Sequence, residues 1–280
     1  YITRTFIDPI TQLGQAMKEV AGGNFQVNAQ CASKLKDVQD IYANFNRMVK
    51  ELGATETLQT DFISSVSHEF KTPINAIEGY AALLQDHQQT PEEQETYIEK
   101  ILFNTRRLST LTGNILLLSK INNQSISPQS SVFRLDEQVR QAILALERKW
   151  EEKDIQFDVD LDKITYTGYE KLLIHVWTNL IDNAIKFDPQ GGSIRLRMCR
   201  QPDGILFTID DNGPGIPPEE QERIFHKFYQ SDNSREVDGN GLGLALVKQI
   251  VALSDGTIQV ENLQGGGGRF TVWLPIREDS

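Results

Sequence analysis

The chain has 280 residues, 28 of them basic and 39 acidic, for a net charge of −11. That balance excludes a general nucleic-acid binder, which needs a basic footprint, and the length exceeds one small core and leaves room for two or three units. With 39% hydrophobic and 24% charged residues the composition is that of ordinary soluble globular protein.

Cys31 and Cys199 are far apart and lack metal-ligand spacing, which fits a reducing compartment and points to neither a disulfide framework nor a zinc site. No apolar run approaches a membrane span. The chain opens at YITRTF without a methionine, as a fragment of a longer protein would.

In residues 1–22, Ile10, Leu13, Met17 and Val20 recur at spacings of three and four, an amphipathic helix with Pro9 near its start and AGGN at its end. A connector runs through about residue 34. From there Val38, Ile41, Phe45, Met48 and Leu52 follow heptad spacing, which predicts a coiled-coil seam. The seam weakens at Thr55 and Gln59. It resumes, after a stutter, with Phe62, Val66, Phe70, Ile74, Ile77, Ala81 and Leu84, so one near-continuous helix is expected over about 35–86. Thr90, Pro91 and Glu93 read as an N-cap, an N1 proline and a capping-box glutamate. They open a helix to about 122 that buries Tyr97, Ile101, Leu108, Leu111, Ile115 and Leu118. Two antiparallel helices have too little core to stand alone, and their dimer would form a four-helix bundle.

The polar NNQSISPQSS at 122–131 marks a boundary. Beyond it the pattern predicts helices at 134–151, 169–187 and 243–253, with strands at 155–161, 193–200, 204–210, 257–262 and 269–275. That is an α/β layer with one helical face.

Three constellations carry chemistry. Asn179, Asn183 and Lys186 share one helix face, where an amide carbonyl suits Mg²⁺ and an ammonium suits phosphate. An ordinary polar outer face explains the same residues. Asp211, Gly213 and Gly215 form D-x-G-x-G directly after a strand, a carboxylate acceptor beside backbone open to close approach. A tight β-turn serves equally. Gly239, Gly241 and Gly243 precede a helix whose first N–H groups could hold an anion, without the βαβ context of a dinucleotide site or the G-K-[ST] of a P-loop.

In this order and spacing the three resemble the N, G1 and G2 boxes of the ATP-binding domain shared by sensor histidine kinases, gyrase, Hsp90 and MutL. IFHKFYQ at 224–230 falls where the kinases carry an F box, and SSVSHEFKTPINAIEGY at 64–80 resembles their phosphoacceptor motif. The chain is thereby identified as similar to a sensor histidine kinase of a two-component system. The resemblance implies a multidomain fold: an all-α coiled-coil and four-helix-bundle dimer, followed by an α/β sandwich ATP-binding domain. The expected domains are a HAMP-like segment at 1–52, a dimerisation and histidine-phosphotransfer hairpin at 53–123, a linker at 124–132 and a GHKL-type ATP-binding domain at 133–280. It implies ATP and Mg²⁺, a response-regulator receiver domain as partner, a homodimer, and a cytoplasmic location below an upstream membrane anchor.

Carried over residue by residue, the resemblance implies that Asn183 coordinates Mg²⁺ with Asn179 in support, that Lys186 contacts phosphate, and that Phe187 lies near the adenine. Asp211 accepts from the adenine amine. Gly213, Gly215, Gly239, Gly241 and Gly243 shape the pocket, and 230–242 form a lid. Gln230 stands where many members have an arginine, so Lys227 or Arg235 would have to compensate. GGGRF at 266–270 departs from the usual late G-T-x-F as a turn variation.

The helical phase puts Asp61, Ser64, Ser65, His68, Thr72 and Asn75 on a polar stripe, largely opposite Phe62, Val66, Phe70 and Ile74. His68 is then the exposed phosphoacceptor, its neutral imidazole the nucleophile. The resemblance gives Glu69 the other ring nitrogen's proton, although neighbours at i and i+1 do not face one another, and a solvated Glu69 fits as well. It gives Thr72 a water-positioning role in hydrolysing the phosphorylated regulator. Pro73 removes one N–H and should kink the helix, which offers a way for signals to alter access to His68. Gly79, Tyr80 and Leu83 are the expected regulator-docking patch. Two other readings share these boxes: a nucleotide-binding signalling scaffold without kinase activity, and a GHKL ATPase clamp.

Overall fold

A computed structural model describes residues 7–33, 35–85, 89–122, 129–231 and 239–276, in two compact units, Tyr1–Lys71 and Thr72–Ser280. Helix α2 (Lys36–Gln85) belongs to both and runs unbroken through Pro73.

In the first unit, α1 (Asp8–Ala21) has its proline in the first turn and ends at Gly22. Leu13 and Ala16 of α1 pack with Tyr42, Phe45 and Val49 of α2, and the connector closes over them with Phe25, Val27 and Ala29. Asn46 clamps the connector: its Oδ1 accepts from Ala29 N at 2.9 Å and its Nδ2 donates to Ala29 O at 2.9 Å. The Tyr42 hydroxyl donates to the Pro9 carbonyl at 2.7 Å. The predicted seam residues divide between two faces in the single chain. Phe45 is buried, but its partners are Tyr42 and Val49, whereas Ile41, Met48 and Leu52 are exposed, as are Ile10 and Met17 of α1. This part of α2 carries two apolar faces, one covered within the chain and one left open, and a single-seam reading merged them.

In the second unit, α3 (Pro91–Asn122) opens with the expected capping box. Thr90 N donates to a Glu93 carboxylate oxygen at 2.9 Å, and Glu93 N donates to Thr90 Oγ1 at 3.2 Å. Tyr80 stacks on Tyr97 at 5.8 Å and ties the end of α2 to the start of α3.

The remainder is the α/β layer. β1 (Ser131–Arg134) pairs antiparallel with β3 (Thr165–Gly168), and neither was legible in the sequence. The main sheet has the order β2-β4-β5-β7-β6, from Gln156–Leu161, Ser193–Arg200, Gly204–Asp210, Gly268–Pro275 and Thr257–Asn262. Among the described strands only β2 and β4 pair parallel, so their connection crosses over through β3 and α6 (Glu170–Phe187). The helix expected over 134–151 is two, α4 (Leu135–Leu144) and α5 (Glu147–Glu152), because the chain turns at 145–146. With α7 (Gly243–Leu253) the helices cover one sheet face.

Strand alternation explains that sidedness. In β4, Ile194, Leu196 and Met198 are buried while Arg195 and Arg197 point away. Arg195 and Arg197 pair with Asp158 across the strand at 3.0 and 2.8 Å, and Arg269 pairs with Asp210 at 2.7 Å, so the open face is laced with ion pairs. At the centre of the covered face Trp177 of α6 is fully buried, its ring 4.8 Å from that of Phe207 and its Nε1 donating to Gln138 Oε1 at 2.9 Å.

Candidate functional site

The apolar stripe of α6, with Leu173, Val176, Trp177, Leu180 and Ile181 buried, leaves the opposite stripe facing a cleft of about 710 Å³. Asn179, Asn183, Lys186 and Phe187 all line that cleft. The C-terminal turn of α6 is fixed by Lys153, whose Nζ donates to the carbonyls of Ile185, Lys186 and Asp188 at 2.9, 2.7 and 2.9 Å. A cation on the last carbonyls also suits the helix dipole.

Asp211, 8% exposed, lies where β5 ends. Its Oδ1 accepts from Gly213 N at 2.9 Å and Gly268 N at 3.1 Å, and its own N–H donates to the Gly268 carbonyl at 3.0 Å. Burial raises its pKa, and the two backbone N–H groups only partly offset that. Oδ2 takes no hydrogen bond from the described residues, so one oxygen is tied to the protein while the other offers lone pairs to the cleft. Gly215 lines the cleft, and Gly213 serves Asp211 from behind. The glycine run at 265–268 is the second half of this cradle: Gly267 has φ +94°, and a methyl group there would run into the Asp211 carbonyl. A feature that reads as turn variation in the sequence is therefore a close-approach requirement.

Side chains from three elements hold the turn after Asp211. Asp188 Oδ1 accepts from Asn212 N at 2.6 Å, Asn212 Oδ1 accepts from Ser193 N and Oγ at 3.1 and 2.8 Å, and Asn262 bonds both ways with Ile216 at 2.8 Å. Asp188 is 2% exposed and its Oδ2 has no partner among the described residues. Burial pushes its pKa up, beyond what the Asn212 N–H offsets.

On the other side, Gly239, Gly241 and Gly243 line the cleft where α7 begins. Gly241 has φ +62°, and an added Cβ would lie 2.7 Å from the backbone of Phe228. Phe228 itself has φ +62°, a costly conformation for a bulky side chain, and its N–H donates to the Gly241 carbonyl at 2.8 Å. The F-box segment and the glycine segment are thus joined backbone to backbone. A Cβ at Gly243 would lie 2.6 Å from Asn179 Oδ1, so glycine there lets α6 and the first turn of α7 meet.

The lysines on the cleft wall share one carboxylate. Lys186 Nζ pairs with Asp182 Oδ2 at 2.8 Å, and Lys149 Nζ pairs with Asp182 Oδ1 at 2.6 Å. Burial would raise the Asp182 pKa, but the two ammonium groups outweigh it and hold the carboxylate below its usual range. Gln230 Nε2 donates to the Gly239 carbonyl at 2.9 Å. Lys227 is exposed and does not line the cleft, and Arg235 lies outside the described residues, as do all of residues 232–238 of the segment expected to form a lid. Sequence reasoning missed Lys149, Asp182 and the α3 residues on the cleft wall, because their role depends on contacts between distant elements.

On α2, His68 and Thr72 are exposed, Glu69 is half-buried and Pro73 is buried. Gly79 and Leu83 are exposed, and Tyr80 is half-buried against Tyr97.

Three family models match the chain: HAMP domain at 1–54, His Kinase A (phospho-acceptor) domain at 58–124, and histidine kinase-, DNA gyrase B-, and HSP90-like ATPase at 168–278. The heme sensor protein HssS of Staphylococcus saprophyticus is 35% identical over 270 residues, which cover 96% of this chain and 58% of that protein. The chain therefore spans about three fifths of the length of the curated relatives it matches. The Acinetobacter baumannii histidine kinase AdeS superposes with a TM-score of 0.64 at 26% identity, over 75% of this chain and 98% of its own. Full-length ShkA in complex with AMPPNP superposes with a TM-score of 0.59 at 27% identity, over 80% of this chain and 46% of its own.

Proposed function

We infer that this chain, which belongs to the sensor histidine kinases and carries their HAMP, phospho-acceptor and ATPase domains, moves the γ-phosphoryl group of ATP to His68 and then to an aspartate of a response regulator's receiver domain. The observation that carries this reading is the cleft, where a buried carboxylate with one open oxygen lies across from an amide-bearing helix face and a glycine-framed helix N-terminus. The AMPPNP bound to ShkA supports a nucleotide for it.

In this reading Asp211 Oδ2 accepts a hydrogen bond from the adenine amine, which fixes the base. Phe187 flanks it. Lys186 and the first N–H groups of α7 face the phosphates. The half-buried Asn183 has no hydrogen bond to the described residues, so its carbonyl oxygen fits Mg²⁺, an ion that takes few protein ligands and keeps water and phosphate oxygens. Bound there, the ion would neutralise charge on the phosphates. A neutral nitrogen of His68 attacks the γ-phosphorus, the bond to the bridging oxygen breaks, and ADP leaves with the electron pair. Glu69 holds the proton on the other ring nitrogen. The phosphoryl group then passes to a carboxylate oxygen of the regulator. Thr72, four residues along α2, positions water when the phosphorylated regulator is hydrolysed.

The reading includes a homodimer, with the exposed Ile10, Met17, Ile41, Met48 and Leu52, and separately Ile98, Leu102 and Leu116 of α3, as the apolar faces a second copy covers. No described helix is long and apolar enough to cross a membrane, and the anchor is placed upstream of this chain. Incubation with γ-labelled ATP and Mg²⁺ tests the whole reading. Acid-labile, base-stable label on the wild type and none on His68→Gln is expected. ATP turnover without a phosphoprotein would instead identify a clamp ATPase, and bound ATP with neither would identify a scaffold.

A further inference from the structure

We propose that α3 belongs to the nucleotide site: Arg107, with Arg106 beside it, supplies the cationic charge for the terminal phosphates of ATP that Gln230 does not. This rests on the nucleotide reading of the cleft.

The sequence leaves a charge question that the structure sharpens. ATP brings a highly charged triphosphate. The two lysines at the cleft, Lys149 and Lys186, share a single carboxylate, that of Asp182. Gln230 is neutral, and Lys227 is not on the wall. Asp211 and Glu220 also line the cleft. Without α3, the ionisable groups on the wall among the described residues sum to a net negative charge even with both lysines counted.

Helix α3 reverses that sign. Phe103, Arg106, Arg107, Thr110 and Asn114 all line the cleft, and their spacings of three, one, three and four put them on one helix face. α3 and α7 pack together, and the same cleft is lined by Gly239, Gly241 and Gly243 where α7 begins. Arg107 Nη2 donates to the Gly239 carbonyl at 3.4 Å, the same oxygen that accepts from Gln230 Nε2 at 2.9 Å. The guanidinium thus shares the Gly239 carbonyl with the side chain whose missing charge it would replace. A guanidinium is always charged, and the rigid fork of its N–H donors matches a pair of phosphate oxygens.

A consequence follows from linkage. If a phosphate contact depends on α3, ATP favours the arrangement in which α3 lies on the cleft by the same factor as α3 favours ATP. Adenosine, which lacks phosphates, exerts no such pull.

The test is a titration of the full chain and its variants with ATP, ADP and adenosine, by calorimetry in the presence of Mg²⁺. For Arg107→Ala, ATP affinity should fall by about tenfold or more, ADP affinity by less and adenosine affinity not at all, as loss of one charge-assisted contact predicts. Arg107→Lys should recover part of the ATP affinity. Equal weakening of all three ligands would mean that Arg107 acts only through the fold, and no weakening would mean that it has no part in the site; either result overturns the proposal. The nucleotide reading itself fails separately, if Asp211→Asn binds ATP as the wild type does.

Discussion

Replacing Asp211 by asparagine changes one oxygen to an NH₂ at constant shape. The new side-chain amide can keep its carbonyl oxygen toward the Gly213 and Gly268 N–H groups, which lie 2.9 and 3.1 Å from the present Oδ1. The NH₂ then occupies the Oδ2 position and meets the adenine amine donor to donor. Losing a hydrogen bond to a charged acceptor costs about 1.5–3 kcal/mol, and leaving a buried donor unsatisfied adds about 1–3 kcal/mol. A loss of about 3–4 kcal/mol corresponds to an ATP affinity some 10²–10³-fold weaker. Folding should respond in the opposite direction. The raised pKa of Asp211 means that its ionised form is disfavoured by the fold, a penalty absent below the ordinary carboxylate pKa and present above the raised one. At pH 7–8 the variant should therefore melt at or above the wild-type temperature. Inosine triphosphate presents an acceptor where ATP presents the amine, so the variant should bind it relatively better than the wild type does. Calorimetric titration of both nucleotides, with thermal melting of the same samples, measures all three effects. An unchanged ratio of ATP to inosine triphosphate affinity between the two proteins would refute the donor–acceptor assignment.

Other consequences are equally direct. Gly243→Ala places a Cβ 2.6 Å from Asn179 Oδ1, so α7 must shift from α6; a loss of about 1–3 kcal/mol in denaturant unfolding is expected, with weaker ATP binding. Asp188→Asn removes a buried carboxylate of raised pKa while keeping an acceptor for Asn212 N. The stability of the variant relative to the wild type should rise with pH above the ordinary carboxylate range, because only the wild type carries an ionised buried carboxylate there, while the buried NH₂ left at the Oδ2 position is a pH-independent cost; melts from about pH 4 to about pH 8 measure the slope. Asn46→Ala strips both connector bonds at Ala29 and should cost the first unit about 1–3 kcal/mol, read from its thermal transition.

What the sequence disclosed was local. The Thr90–Glu93 capping box, the bounds of β4, β5, β6 and α7, and the shared face of Asn179, Asn183 and Lys186 each depend on spacing within one segment, and the structure forms each as spacing predicts. The seam residues of α2 divide between a face covered within the chain and an open one, because an apolar residue does not announce which neighbour covers it. Tyr42 lies outside the heptad positions, and its hydroxyl reaches the Pro9 carbonyl, 33 residues away in sequence. Strands β1 and β3, of 4 residues each, offered no period to read. The partnership of Lys149 with Asp182, and the arrival of Arg107 at Gly239, join residues 33 and 132 apart, and no pattern within either segment encodes them.

The two ends of the cleft are held in different ways. Around Asp211, hydrogen bonds tie together α6's C-terminal flank, β4, β6 and the glycine run: Asp188 with Asn212, Asn212 with Ser193, Asn262 with Ile216, and Gly268 with Asp211. Most of them join a side chain to the backbone, so the turn keeps its shape without a ligand, and a base that fits it meets little reorganisation. At the other end, the Gly239 carbonyl is held by Gln230 and by a long contact from Arg107, both on flexible side chains. A site built this way separates two tasks. On the proposed reading, recognition of the base would be fixed by the Asp211 turn, while the charge that meets the phosphates would be carried partly by α3. Affinity for the base should then be insensitive to where α3 lies, and affinity for the phosphates should follow it. On the proposed reading, that difference would let the position of α3 be sensed through the phosphates of a bound nucleotide.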